Sequence, residues 1–171
     1  MLFAIDLQND YWDPSGKYYV AASQTILQEV IHRLEQAVSE GELLVCIRNI
    51  YGDEEREERG AEEIQWAEAF YPPFASFLEE AEIVRKSHYG IAPEEALQLK
   101  EKYSHLEDAF DTIEFIGVET NVCVMANVNI IQNIFTTSAL LVHKKRTAAS
   151  SERLYENALE ILAGLKVLIE E

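Results

Sequence analysis

The stretch that decides the fold is GVETNVCV, residues 117–124. A mainly apolar run, residues 113–116, leads into it, and a segment of helical length follows it. This pattern predicts a strand, a turn and a helix, with Cys123 just inside the start of the helix. Backbone N–H groups are unpaired at that point and the helix dipole is positive, so the position favours a thiolate, the reactive form of cysteine.

Outward from this stretch, short apolar runs alternate with segments of helical length along the chain. Strands of this kind, separated by helices, indicate a parallel sheet covered by helices on both faces, which is a three-layer α/β/α fold. The predicted strands are Leu2–Ile5, Leu43–Ile47, Ile83–Val84, Thr112–Ile116, Ala139–Val142 and Val167–Ile169. The predicted helices run over about residues 21–40, 93–103, 123–135 and 151–164.

Composition limits the class of protein. A chain of 171 residues with 48% hydrophobic residues is expected to form a single domain, residues 1–171, with a sizeable core. The formal net charge of −17 disfavours nucleic acids and anionic membranes as partners. Cys46 and Cys123 make no disulfide framework, no basic segment opens the chain, and no apolar run reaches the roughly 18 residues of a membrane span. These features favour a cytoplasmic protein.

Three chemically active side chains follow predicted strands. Asp6 ends the first strand, Lys86 follows the third, and Cys123 follows the fourth. The carboxyl ends of parallel strands share one edge of a sheet, where ligands bind, so these side chains are able to meet. A buried carboxylate is costly without a partner, and the Lys86 cation compensates both Asp6 and a thiolate.

The motifs themselves resemble those of the isochorismatase-like cysteine hydrolases, a family that includes nicotinamidases. DLQNDY (residues 6–11) is similar to the family's D-x-Q-N-D-F/Y opening, and KSHY (residues 86–89) to its K-x-x-Y element. GVETNVCV is similar to its G-V/I-x-T-D/N-x-C-V motif. The three motifs stand in the family's order and cover nearly the whole chain. The resemblance implies a Rossmann-like, six-stranded parallel sheet with strand order 3-2-1-4-5-6.

The resemblance also implies a mechanism. Cys123 would be the nucleophile, Asp6 would take its proton and later activate water, and Lys86 would hold the thiolate. A cis peptide bond between Val118 and Glu119 would turn the Glu119 N–H beside that of Cys123, and these two groups would form the oxyanion hole. The implied reaction is cleavage of a C–N bond in a small amide or carbamoyl compound through a thioester.

The resemblance fails at the metal ligands of metal-dependent relatives. Their D-x-H element after the second strand is replaced by RNIY, residues 48–51. Their W-P-x-H segment resembles YPPF, residues 71–74, and a phenyl group does not bind metal as imidazole does. We therefore expect no metal site and no cofactor. Nicotinamide becomes a less favoured substrate, because the family's metal holds its pyridine ring.

Several questions stay open from sequence. Aromatic side chains and one histidine are candidates for the substrate pocket, although the aromatics equally suit the core: Tyr11, Trp66, Tyr71, Phe74 and His88. The basic segment HKKR, residues 143–146, either attracts an anionic substrate or balances nearby carboxylates. Alternative functions are a nicotinamidase, an isochorismatase-type hydrolase of an enol ether, and a binding protein without catalysis. The family often assembles, so a homo-oligomer is also compatible with the resemblance.

Overall fold

Six parallel strands form one sheet in the computed structural model, which describes residues 1–105 and 111–171. The strand order is β3-β2-β1-β4-β5-β6, as the resemblance predicted. All five strand pairs are parallel, which requires a crossover between consecutive strands. The strands are β1 (Leu2–Ile5), β2 (Leu44–Asn49), β3 (Glu82–Lys86), β4 (Thr112–Val118), β5 (Ala139–Ala148) and β6 (Leu168–Glu170).

Helices fill the connections between the strands. The longer ones match the predicted segments to within a few residues, whereas the short ones between β2 and β3 were not predicted as separate helices. The helices are α1 (Asn9–Trp12), α2 (Ser23–Ser39), α3 (Asp53–Arg59), α4 (Ala61–Glu68), α5 (Pro72–Ala75), α6 (Pro93–Tyr103), α7 (Met125–Ile134) and α8 (Glu152–Gly164). In the described ranges, no helix is both long enough and apolar enough to cross a membrane.

The sheet is buried on both faces. In β1, Phe3 belongs to one hydrophobic cluster and Ala4 to the other, because successive side chains point to opposite faces. One cluster includes α6, α7 and α8, and the other includes α2 and α5. This arrangement confirms the predicted three-layer α/β/α fold.

The basic segment belongs to β5, which continues to Ala148 instead of ending near Val142. Arg146 binds the buried Glu114 at 2.7 Å, and Arg33 binds the same carboxylate at 2.6 Å. Lys144 pairs with Glu171 at the surface. Arg146 and Lys144 therefore balance carboxylates, and neither lines the cavity beside Cys123.

Gly117 brings β1 and β4 together at the edge where the site forms. It pairs with Ile5 in the parallel register and has a φ of +112°. A Cβ at this position would lie 2.1 Å from the carbonyl oxygen of Ile5. Only glycine combines this backbone conformation with so close an approach. The next residue after Ile5 is Asp6, so the close approach positions Asp6 beside the turn that follows β4.

Candidate active site

The side chains of Asp6, Lys86 and Cys123 meet at the carboxyl edge of the sheet. Lys86 Nζ lies 2.9 Å from Asp6 Oδ2 and 3.5 Å from Cys123 Sγ. The three residues are 0%, 4% and 8% exposed, so their charges interact with little screening by water. Asp6 is 80 positions before Lys86 in the chain, and Lys86 is 37 positions before Cys123. The strand ends nevertheless bring the three residues together.

Asp6 is held in an unusual backbone conformation. Its φ is +52°, in the left-handed region that few residues other than glycine adopt, although aspartate tolerates it. The Asp6 N–H donates to the carbonyl of Ile47, and the indole Nε1 of Trp12 donates to the carbonyl of Asp6, each at 3.0 Å. Trp12 is fully buried, so these contacts fix the carboxylate from both sides of the residue.

Lys86 is held by acceptors besides the carboxylate. Its ammonium donates to the carbonyl of His88 at 3.1 Å and to the Asn49 side-chain oxygen at 3.4 Å. Asn49 is itself fixed by Gln8, whose side chain both accepts from the Asn49 N–H and donates to its carbonyl. The glutamine of the opening motif therefore ties the end of β1 to the end of β2.

Cys123 lies in a π-helical turn, Thr120–Val124, that precedes α7. The Val118–Glu119 peptide bond just before the turn is cis. The Glu119 carboxylate points to another element, where Oε2 accepts from the Ser150 N–H at 2.5 Å. Wide π-type turns are frequent at functional sites.

Asn127 fixes this turn against the loop that carries Lys86, a role that sequence reasoning missed. Its buried amide donates to the carbonyls of Cys123, at 2.7 Å, and Tyr89, at 3.1 Å. Its side-chain oxygen accepts from the Ile91 N–H at 3.0 Å. The helical position of Asn127, four residues after Cys123, was the only signal in the sequence.

Electrostatics determine the protonation state of the cluster. Burial raises the pKa of Asp6, although the charge of Lys86 opposes that effect. Burial and then the charge of Asp6 raise the pKa of the Cys123 thiol. Burial disfavours the charged form of Lys86, but Asp6 and Cys123 outweigh it and raise the pKa of the ammonium. Burial and the neighbouring carboxylate thus oppose the thiolate that the start of a helix favours.

A cavity of about 640 Å³ opens beside Lys86 and Cys123. Two of the predicted pocket residues, Tyr11 and His88, line it. The rest of its wall is mainly tyrosine and glutamate residues that sequence reasoning did not assign to a pocket: Tyr18, Tyr51, Glu54, Glu55, Glu58 and Tyr89. Helix α3, in the stretch rich in carboxylates after β2, thus has one side on this cavity.

Three other predicted pocket residues lie elsewhere, which corrects their assignment. Phe74 is fully buried and packs edge-on against Trp12, with ring centroids 4.6 Å apart. Tyr71 contacts Phe74 and packs on the same cluster, while Trp66 is 36% exposed on α4. Aromatic composition does not distinguish a core from a pocket, because both bury flat apolar rings.

The residues that replace the family's metal ligands do not fit a metal ion. The Tyr51 hydroxyl donates to Asp10, whose buried carboxylate also binds the guanidinium of Arg59 at 2.7 and 2.9 Å. Asn49 is already hydrogen-bonded to Gln8 and Lys86. Across residues 1–105 and 111–171, no group of three or more His, Cys, Asp or Glu side chains is arranged to hold a metal.

Comparison with known proteins places this geometry in a family. A family model described as an isochorismatase domain matches residues 1–168. No curated protein sequence matches the chain at a significant level.

Solved structures share the fold at low identity. An isochorismatase-like hydrolase from Alkaliphilus metalliredigens is 22% identical, with a TM-score of 0.78 over 99% of this chain and 93% of its own. A pyrazinamidase/nicotinamidase from Streptococcus mutans is 19% identical, with a TM-score of 0.78 over 98% of each chain. A nicotinamidase from Bacillus subtilis is 16% identical, with a TM-score of 0.79 over 99% of this chain and 98% of its own. With a family model that spans almost its entire length, this chain belongs to the isochorismatase domain family.

Proposed function

We propose that the chain is a metal-independent cysteine hydrolase that cleaves a C–N bond of a small amide or carbamoyl compound. The observation that carries this proposal is the contact of one ammonium, Lys86 Nζ, with both Asp6 and Cys123 beside a cavity. A buried acid and a thiol that share one cation are the parts that nucleophilic catalysis by cysteine requires. A structural ion pair alone would not need the thiol.

In the first half-reaction, the Cys123 thiol passes its proton to Asp6 as the sulfur attacks the carbonyl carbon. The S–C bond forms, and the oxyanion accepts hydrogen bonds from the backbone N–H groups of Glu119 and Cys123. Asp6 then gives its proton to the leaving nitrogen, the C–N bond breaks, and a thioester remains on Cys123.

In the second half-reaction, Asp6 removes a proton from water, which attacks the thioester. The acid product leaves, the sulfur takes the proton back, and the starting state is restored. The raised pKa of Asp6 suits both steps, because a catalytic acid–base works best when its pKa approaches the working pH. Lys86 stays protonated throughout and stabilises the negative charge on carboxylate or sulfur.

Each alternative function is less well supported. Hydrolysis of an enol ether needs no nucleophile, so it leaves the contact between Cys123 and Lys86 without a role. Nicotinamide hydrolysis as metal-dependent relatives perform it would use a metal, and the candidate ligands here are committed to Arg59, Gln8 and Lys86. A binding protein would not need an acid, a cation and a thiol in contact.

The test is a panel of small amides and carbamoyl compounds, including nicotinamide, assayed for ammonia release. We expect Cys123→Ala to abolish release and Cys46→Ala to retain it, since Cys46 is fully buried in β2. A thiol reagent is expected to label Cys123 faster than Cys46. Unchanged release by Cys123→Ala together with equal labelling would contradict the proposal. Turnover of isochorismate by Cys123→Ala would instead support the enol-ether function.

A further inference from the structure

Three tyrosine rings form a continuous wall of the cavity. Tyr18 stands between Tyr11 and Tyr51, with ring centroids 6.4 and 6.1 Å away and interplanar angles of 25° and 28°. The hydroxyls of Tyr11 and Tyr51 approach to 3.4 Å, which closes the wall on one side. The faces of aromatic rings carry negative partial charge and attract cations.

Carboxylates surround this wall. Glu54, Glu55 and Glu58 line the cavity from α3. Lys17 binds Glu55 at 2.8 Å and Glu58 at 2.9 Å. Glu54 pairs with no cation within residues 1–105 and 111–171. Lys86 is the only lysine or arginine among the lining residues found there, and it is committed to Asp6.

The wall already holds cations of the protein itself. Lys17 Nζ lies 5.5 Å from the centroid of the Tyr18 ring while it binds Glu55 at 2.8 Å. Arg59 Cζ lies 5.2 Å from the centroid of the Tyr51 ring. The Tyr18 ring and the Glu55 carboxylate thus bind the Lys17 ammonium together at the outer rim of the cavity. Glu54 lines the same cavity as the three rings, so a ligand there can meet a ring and a carboxylate together.

We propose that the substrate carries a cationic group, an ammonium, quaternary ammonium or guanidinium, in addition to its amide or carbamoyl carbon. The cation lies between the tyrosine wall and the carboxylates of α3 while the carbonyl reaches Cys123. The identity of the reacting group in this inference rests on the proposed function. The preference of the cavity for a cation does not. An anionic substrate would face Glu54 without a free cation to offset its charge.

The charge preference is tested first without any substrate, with three methanethiosulfonate reagents that differ in charge. They carry trimethylammonium, no charge or sulfonate; each transfers its thiol group to Cys123 as a disulfide and releases methanesulfinate. The rate at Cys123 is read by mass spectrometry and divided by the rate with free cysteine. We expect the cationic reagent to react at least about tenfold faster than the anionic one, and the ratio to fall at high salt.

Variants show which residues set the ratio of the cationic rate to the anionic rate. Glu54→Gln is expected to lower it about threefold, and Tyr18→Leu about two- to fivefold. Glu57→Gln is the matched control, because Glu57 lies on the same helix but does not line the cavity. A ratio near one in the unmodified chain, or an equal loss in Glu57→Gln, would overturn the proposal.

Substrate preference is then measured with three amides of matched length. These are 4-aminobutanamide, pentanamide and glutaramate, which end in an ammonium, a methyl group and a carboxylate. We expect kcat/KM to fall in that order. Hydrolysis that favours the neutral or anionic amide would overturn the cationic substrate and leave the hydrolase proposal standing. No hydrolysis of any amide, with the reagent ratio as expected, would overturn the hydrolase proposal and leave the charge preference standing.

Discussion

Replacing Lys86 by methionine leaves the Asp6 carboxylate buried without its cation. The two side chains are 1% and 0% exposed and lie 2.9 Å apart, so water solvates the remaining carboxylate poorly. Removal of one partner from a buried ion pair costs about 3–5 kcal/mol. Asp6 then takes up a proton instead of remaining charged, and its pKa in the folded state rises further.

The sign of the pH dependence follows from that shift. With a folded-state pKa above the unfolded value, the folded Lys86→Met variant binds more protons than the unfolded chain. Its free energy of unfolding therefore falls as pH rises, by up to about 1.4 kcal/mol for each pH unit until the folded-state pKa of Asp6 is passed. The variant is expected to approach the unmodified chain in stability only in acid.

Urea unfolding at pH 5, 6, 7 and 8, followed by circular dichroism, measures this effect. Lys102→Met is the matched control: Lys102 is 52% exposed in its pair with Glu82, so its loss should cost far less stability than the loss of Lys86. The double variant Asp6→Asn with Lys86→Met should lose the pH dependence. If Lys86→Met keeps the stability of the unmodified chain at all four pH values, the buried ion pair does not carry the role assigned to it.

Three further outcomes are expected. In a pH–rate profile, the acid limb of kcat/KM should lie above pH 3.8, the ordinary carboxyl value. Asp6 has a raised pKa and must be deprotonated to act as a base. A limb at or below that value contradicts this assignment. Gly117→Ala should destabilise the chain by about 2–6 kcal/mol in urea, since its Cβ meets the Ile5 carbonyl at a positive φ, and a change below about 1 kcal/mol would refute the close approach. Asn127→Leu removes the amide that binds the Cys123 carbonyl, so kcat should fall more than tenfold with KM little changed. Asn129→Leu is the control and should retain kcat, because the Asn129 amide binds only within α7.

The fold could be predicted from the sequence because its strands are short apolar runs. Parallel strands buried on both faces leave that signature, and their carboxyl ends share one edge whatever the loop lengths are. Asp6, Lys86 and Cys123 could therefore be assigned to a common site before their contacts were known. Strand ends were less predictable: β5 runs on to Ala148 and carries Arg146 to the buried Glu114, a contact that composition hides.

The cavity wall was much less predictable. Helix α3 has no buried residue and so no apolar periodicity, yet Arg59 fixes it through an ion pair to Asp10, 49 residues away. Pairings at such separations leave no local pattern. The effects that raise the pKa of Cys123 were also hidden, because the helix start is visible in the sequence whereas the burial of the thiol beside Asp6 is not.

The most direct test of the proposed mechanism is mass spectrometry of the chain quenched in acid during turnover of an amide that releases ammonia. We expect an added acyl mass on the peptide that contains Cys123, removed by neutral hydroxylamine and absent in Cys123→Ala. Ammonia release at an unchanged rate from Cys123→Ala, or an acyl group on a different residue, would contradict the assignment of Cys123 as the nucleophile.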